Sequence, residues 1–248
     1  MRDDRGRTED SGRIVCKEPV WTSAALRGSL WAGMPRGERA SLLLTYTHDR
    51  YQAKDTNPMT RVDDLNLEAL SAEQRRIYDA IVAGPRGAVQ GPLRVWLQSA
   101  ALADRAQALG AFCRFGTSLP PRLTELAILV TGAYWQARFE WHAHAPLALK
   151  AGLDPDAIEA IRTGRSPQWA REDEAAVYAF AHELTWTRQV SDPVYARALK
   201  SLGLTSLVEL VGILGYYTLI SMTINAFEVP LPAGTSDPFS DVPRVASP

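Results

Sequence analysis

The sequence predicts an all-α protein. Apolar residues recur at helical spacing from Leu65 onward, and the alternation typical of β-strands is nearly absent. Helix-capping signals also separate the apolar segments; Ser71-Ala-Glu-Gln74, for example, has the spacing of a capping box. We therefore expect a bundle of helices without a β-sheet.

Capping residues, prolines and glycines set the expected helix limits. Gly84-Pro-Arg-Gly87 reads as a turn rather than a phosphate-binding loop, since no Gly-Lys-Ser/Thr follows. The segment from Leu119 to Lys150 is expected to form two helices with a break near Gly132 or Ala133. In order, the predicted helices cover residues 71–82, 92–98, 104–115, 119–150 (as a pair), 154–163, 171–189, 191–203 and 205–227.

Composition divides the chain into three segments. Residues 1–58 mix charges, Gly and Ser without a helical period, so we expect disorder or weak order there. Met59 is a candidate native start, which would make the upstream part an extension. Residues 59–232 form the predicted helical domain, and the Pro-, Ser- and Asp-rich residues 233–248 are expected to be a loose tail.

The overall composition favours a cytoplasmic protein that acts on small molecules. A net charge of −1 over 248 residues gives no basic surplus for nucleic acid. Cys16 and Cys113 are neither a disulfide framework nor a metal-ligand pair, which suits a reducing compartment. The N-terminus lacks an apolar signal segment, and charged and small residues interrupt the most apolar stretch, 207–222. We expect no membrane partner.

The segment Phe139-Glu-Trp-His-Ala-His144 holds two of the four histidines. Residues four apart share one helix face, so Glu140 and His144 are predicted to be neighbours and to hydrogen-bond. A carboxylate beside an imidazole raises the imidazole pKa and orients the ring, which is the minimum equipment for proton transfer. Glu125 falls inside the apolar run 123–130, where a carboxylate needs a partner.

Simpler interpretations compete with the catalytic one. A Glu–His pair at this spacing is often only a surface pair on a helix. No third ligand accompanies Glu140 and His144, so we expect no metal site. Cys113 reads as a core thiol and His182 as a helix-surface or core residue. Tyr216 and Tyr217 read as packing residues.

Several of these segments resemble the carboxymuconolactone decarboxylase-like family, whose fold is that of the alkylhydroperoxidase D proteins. The resemblance rests on Leu119-Pro-Pro-Arg-Leu-Thr-Glu125, on Phe139-Glu-Trp-His-Ala-His144 and on Ala151-Gly-Leu153. It covers roughly residues 63–232 and implies an alkylhydroperoxidase D-like helical bundle. It also implies a homo-oligomer, a trimer or a hexamer.

The alkylhydroperoxidase D branch of the family uses a Glu, a Cys-x-x-Cys pair and a His. Anchoring the motif on His144 places the two cysteine positions at Ala137 and Glu140, and the family glutamate at Glu125. The resemblance therefore implies that the acid–base residues are retained while both sulfurs are missing. Peroxidase chemistry of that type needs a nucleophilic and a resolving thiol, so it is disfavoured.

The decarboxylase branch implies a lyase that acts on a small lactone or carboxylate without a metal or organic cofactor. In that reading His144 is the general acid, Glu140 orients it, and Glu125 completes the relay. Arg122 would bind a substrate carboxylate or, alternatively, would be a surface residue at a helix start. Isomerisation, dehydration and lactone hydrolysis suit the same residues, and a non-catalytic binding module on the same fold is the alternative of another class.

Overall fold

Eight α-helices and one short 3₁₀ turn, Leu67–Ala69, form the regular structure of residues 61–243, which the computed structural model describes. No β-strand occurs in that range, so the all-α prediction is confirmed. The predictions for residues 1–60 and 244–248 lie outside the described residues. The helices are α1 (Ala72–Ala83), α2 (Pro92–Trp96), α3 (Ala100–Phe115), α4 (Pro121–Trp135), α5 (Arg138–Lys150), α6 (Pro155–Arg162), α7 (Glu172–Thr187) and α8 (Asp192–Ala226).

Helix α1 begins where the sequence predicts. The Ser71 hydroxyl accepts a hydrogen bond from the backbone N–H of Gln74, and the Gln74 side chain accepts one from the backbone N–H of Ser71. This reciprocal pair is the capping box. Helix α3 begins at Ala100, four residues before the predicted start at Asp104, because the polar Ser99 precedes an alanine-rich turn that continues the helix.

Helix α4 is the central element of the bundle. Every residue from Leu123 to Gly132 is buried, and the helix packs against α5, α7 and α8. A helix enclosed on all sides reads as a continuous apolar run rather than as an amphipathic stripe. Any polar side chain that α4 carries in this range therefore lies in the protein interior.

The corner between α4 and α5 lies at Gln136, later than the predicted break. Gln136 adopts a left-handed conformation (φ +45°), and its backbone N–H bonds to the carbonyls of Gly132 and Ala133. Gly132 remains helical and serves close packing instead. A Cβ atom there would lie 3.1 Å from the Glu140 carboxyl group. The short turn brings the start of α5 back against α4.

Helix α8 contains a break at Gly203, where φ is +78° and ψ is +164°. The two predicted helices, 191–203 and 205–227, correspond to its two parts. By length and composition α8 could cross a membrane, but 56% of its most apolar window is buried in the domain. The core helix of a soluble protein has the same properties, and α8 contacts α3, α4, α5 and α7.

The C-terminal segment differs from the predicted loose tail as far as residue 243. Phe239 is buried and packs edge-on against Trp141 of α5, with ring centroids 5.4 Å apart. Asp241 forms an ion pair with Arg162 of α6 at 2.6 Å. One aromatic contact and one ion pair thus hold this segment against two helices.

Candidate active site

The centre of the candidate site is a buried contact between α4 and α5. Nδ1 of His144 lies 2.7 Å from Oε2 of Glu125, and both side chains are more than 90% buried. Glu125 is carried by the fully enclosed part of α4, which explains why a carboxylate occurs in an apolar run. This bond fixes the imidazole ring and identifies Nδ1 as the protonated nitrogen when the ring is neutral. Nε2 is then the nitrogen left for a ligand.

Burial decides the protonation tendency of His144. Removal from water lowers the pKa of His144 below its ordinary value, whereas the charge and hydrogen bond of Glu125 act in the opposite direction. Arg114 and Arg86 lower the pKa of His144 further by charge repulsion. The ring is therefore biased toward its neutral form, in which Nε2 is unprotonated.

Glu140 is one helical turn from His144, but its partner is on a third helix. Oε2 of Glu140 accepts a 2.6 Å hydrogen bond from the hydroxyl of Ser221 on α8. The predicted Glu140–His144 hydrogen bond is absent among the described contacts: Nδ1 of His144 pairs with Glu125, and the Glu140 carboxyl group pairs with Ser221. Burial raises the pKa of Glu140 well above its ordinary value, with the Ser221 bond opposing and the charge of Glu125 adding to the increase.

A small cavity of about 70 Å³ lies beside these groups. His144 and Glu140 line it, whereas Glu125 lies behind His144 and is not part of its lining. The apolar part of the wall comes from α2, α5 and α8. Its residues are Pro92, Leu93, Phe139, Ala143, Ile220 and Ile224. A ligand would thus meet two titratable side chains in a largely apolar enclosure, which is the usual form of a small-molecule site.

Ala88 and Gln90 also line the cavity, as do four titratable residues that sequence patterns did not assign to a site: Arg86, Arg114, Tyr216 and Tyr217. Tyr217 meets the His144 ring edge-on with centroids 5.1 Å apart, and its burial raises its own pKa well above the ordinary value. The Tyr216 hydroxyl accepts a 3.3 Å hydrogen bond from Arg86. The one available signal was the position of Arg86 between Pro85 and Gly87, in the turn that follows α1.

Arg122, the predicted substrate-binding residue, lies at the N-terminal end of α4 and is not part of the cavity lining. Its guanidinium forms ion pairs with Asp173, at 2.6 Å, and with Glu174, both at the start of α7. These contacts connect α4 to α7, so the Arg122 guanidinium has a structural role in this geometry. Because Arg122 does not line the cavity, the structure gives no support to the predicted binding of a substrate carboxylate by this residue.

The positions equivalent to the missing cysteine pair lie at the start of α5. Ala137 is the buried N-cap residue of that helix, and Glu140 lies in its first turn. Cys113, the cysteine in the described range, is buried on α3, and its burial raises the pKa of the thiol. Within residues 61–243, no group of three or more His, Cys, Asp or Glu side chains is placed to hold a metal ion.

Comparison with protein families finds a match to one segment of the chain. Residues 100–183 match the model of the carboxymuconolactone decarboxylase family. This segment is similar to the carboxymuconolactone decarboxylase family, the family that the sequence motifs resemble. The matched segment includes Glu125, Glu140 and His144, whereas Arg86, Tyr216 and Tyr217 lie outside it. No curated protein sequence is significantly similar to the chain.

Among the solved structures with a similar fold are the following two. One is an uncharacterized peroxidase-related protein from Silicibacter sp. TM1040, with a TM-score of 0.58 and 14% identity, over 74% of this chain and 96% of that one. The other is a cysteine-to-alanine variant of the debrominase Bmp8 in complex with 2,3,4-tribromopyrrole. Its TM-score is 0.57 and its identity 13%, over 73% of this chain and 95% of that one. At these identities the likeness establishes the fold alone.

Proposed function

We propose that the cavity is the active site of a small-molecule enzyme that works by proton transfer. The observation that carries this proposal is the buried Glu125–His144 hydrogen bond in the wall of a cavity that also contains Glu140. The pKa of His144 is lowered and the pKa of Glu140 is raised. Two neighbouring groups whose pKa values are displaced in opposite directions are characteristic of an acid–base pair.

The proposed roles follow from these protonation tendencies. Neutral His144, held by Glu125 through Nδ1, acts as the general base at Nε2. Glu140, kept protonated by burial, acts as the general acid. This assignment differs from the one that the family resemblance implied, in which His144 was the acid and Glu140 its orienting partner. Glu125 keeps a positioning role, because it contacts His144 and not the cavity.

Decarboxylation of a small lactone or carboxylate, or a related proton transfer, is the reaction class that we propose. In a decarboxylation the bond to the departing carboxyl group breaks, and its electron pair moves into a conjugated carbonyl group. A proton from Glu140 then forms the new C–H bond, and His144 passes a proton from water to the Glu140 carboxylate, which restores the acid for the next cycle. Because carbon protonation and carbon deprotonation use the same two groups, isomerisation belongs to the same proposed class.

A panel of candidate substrates tests the proposal even though the natural substrate is not identified. Small lactones and carboxylic acids in D₂O would be followed by ¹H NMR for loss of CO₂, isomerisation or exchange of a carbon-bound proton. We expect wild-type protein to convert at least one member, and His144→Ala to lower that rate by about 10²- to 10⁴-fold, the usual contribution of a general acid or base. His142→Gln is the matched control, since His142 is on the same helix but outside the cavity lining.

Equal conversion by wild-type and His144→Ala protein would contradict the proposal. If neither protein converts any member of a broad panel, although wild-type protein binds some of them, the binding-module alternative is favoured. A thiol peroxidase is the remaining alternative. For that reason peroxide consumption would be compared between wild-type and Cys113→Ala protein; burial of Cys113 predicts no difference between them.

A further inference from the structure

Two buried side-chain atoms in the described part of the chain lack a hydrogen-bond partner. They are Nε of Arg86 and Oε1 of Glu140. Both residues line the same cavity. Buried polar atoms in folded proteins are nearly always paired, so the coincidence of two unpaired atoms at one cavity indicates a ligand that supplies the missing partners.

The charge around the cavity indicates the sign of that ligand. Among residues 61–243, Arg86 makes one hydrogen bond, to Tyr216, and neither Arg86 nor Arg114 forms an ion pair. The Arg114 guanidinium lies over the Phe115 ring, 5.1 Å from its centroid. Other partly buried arginines of the domain behave differently: Arg122 and Arg162 each bind carboxylates. Two guanidinium groups without an ion-pair partner at one enclosure favour an anion.

We propose that Arg86 and Arg114 form a subsite for a carboxylate group of the substrate. That the bound molecule is a substrate rests on the proposed function. The binding of a carboxylate by Arg86 and Arg114 does not. Arg86 offers its unpaired Nε–H to one carboxylate oxygen, and Arg114 contributes the second positive charge. The apolar walls, among them Phe139 and Ile220, receive the carbon skeleton. The cavity of about 70 Å³ limits the ligand to a compact organic acid.

The packing around Arg86 indicates that this side chain is held in a fixed position and is not a freely moving surface arginine. A Cβ atom at Gly110 would lie 2.0 Å from the Tyr216 hydroxyl and 2.4 Å from a terminal nitrogen of Arg86. Only glycine therefore allows α3 to approach this closely. The Arg86–Tyr216 pair occupies the space that a larger residue would fill.

The subsite also restricts the chemistry. Guanidinium groups stabilise a carboxylate most strongly while it is charged, so they would oppose its departure as CO₂. The carboxylate bound by Arg86 and Arg114 is therefore a recognition group that the product retains. If the reaction is a decarboxylation, the group that leaves is a second carboxylate of the same substrate.

The test is a calorimetric titration of the full chain with acetate, succinate and maleate. Succinamide is the neutral analogue, and inorganic phosphate is the anion without a carbon skeleton. We expect wild-type protein to bind at least one of the three carboxylates, and Arg86→Gln and Arg114→Gln each to weaken that binding about tenfold or more, the usual effect of losing a charged hydrogen bond. Arg105→Gln, an exposed residue of the same helix as Arg114, is the matched control.

Arg86→Lys keeps the charge and serves as a second variant if Arg86→Gln does not fold; it should bind with intermediate affinity. Unchanged binding in the folded variants, equal binding of succinamide or phosphate, or no carboxylate binding by wild-type protein would each overturn the inference. His144→Ala separates this result from the proposed function. That variant should retain carboxylate binding while it loses turnover, so binding and catalysis can fail independently.

Discussion

At the scale of single residues, the protonation of Glu140 has a measurable effect on stability. Its pKa is raised in the folded protein above the ordinary value of 4.5. Between 4.5 and the raised value the folded state holds a proton that the unfolded state has released, so the stability of the wild-type protein falls as pH rises through that window. Glutamine mimics the neutral acid and does not undergo this titration.

We therefore expect Glu140→Gln to increase the free energy of unfolding, by an amount that grows as pH rises above 4.5. Urea unfolding from pH 4.5 to about pH 8 measures the difference. Glu68→Gln, at an exposed position, is the control and should show no such trend. A Glu140→Gln stability difference that is constant with pH would show that the carboxyl group is ionised in the folded protein.

Glu125 affects the pH dependence of activity through His144. Its charge and hydrogen bond raise the pKa of His144, so Glu125→Gln should lower that pKa and shift the acid limb of the rate profile to lower pH. The rate at the optimum should fall by up to about 10⁴-fold, because a neutral amide no longer stabilises the imidazolium ion. A pH profile of kcat/KM measures both effects. Glu172→Gln, at an exposed position on α7, should leave the profile unchanged, whereas an unshifted profile for Glu125→Gln would exclude this positioning role.

Sequence reasoning selected three members of the site for different reasons. Glu125 was noticeable as a charge in an apolar run, and Glu140 and His144 as a pair on one helix face. Their hydrogen-bond partners were not predictable in the same way. The spacing of residues along α5 does not predict that His144 pairs with Glu125 of α4, or that Glu140 pairs with Ser221 of α8. Arg86 and Arg114 come from separate elements, and no local pattern connects them.

At the scale of elements, the turn before α2 depends on close packing against α5. Gly91 has a φ of +53°, and a Cβ atom there would lie 2.3 Å from the Phe139 ring. Gly87 also has a positive φ, +71°, but has nothing within 4 Å of its Cβ position. Substitutions at these two glycines therefore distinguish the cost of backbone strain, present at both, from the cost of a steric contact, present only at Gly91.

We expect Gly87→Ala to cost about 1 kcal/mol through backbone strain, and Gly91→Ala to cost about 1 to 3 kcal/mol more through overpacking. Urea unfolding of both variants tests this difference. Because Phe139 lines the cavity, Gly91→Ala should also weaken ligand binding, and Gly87→Ala should not. Equal costs for the two variants would mean that Phe139 moves aside freely.

The elements also show where sequence patterns are sufficient. The capping box of α1 and the separation at Gly203 are local signals, and both match the structure. The break after α4 was placed too early, because Gly132 was interpreted as a helix end. Its function is to accommodate Glu140, a contact between two helices that no single-helix pattern contains.

At the scale of the whole molecule, large apolar side chains remain exposed along α8. Leu204 and Val208 are 62% and 63% exposed, and Val211 and Met222 follow at helical spacing. The family resemblance implied a homo-oligomer, and this face is suited to a second copy of the chain. Self-association stays a prediction.

We expect Val208→Glu to weaken that association, because it places a charge in a face that would be buried between copies. Sedimentation velocity at several protein concentrations measures the change. Val82→Glu, which adds the same charge to an exposed position on α1, is the control. A monomer at all concentrations in the unmodified protein would contradict the prediction.

The C-terminal segment has a practical consequence for protein engineering. Phe239 packs against Trp141 of α5, and Asp241 pairs with Arg162 of α6; Trp141 lies between Glu140 and His144 in the same helix. A chain shortened at Pro232 for expression or crystallisation would remove both contacts, and with them part of the packing of the helix that carries Glu140 and His144. Truncations and C-terminal fusions are better begun beyond residue 243.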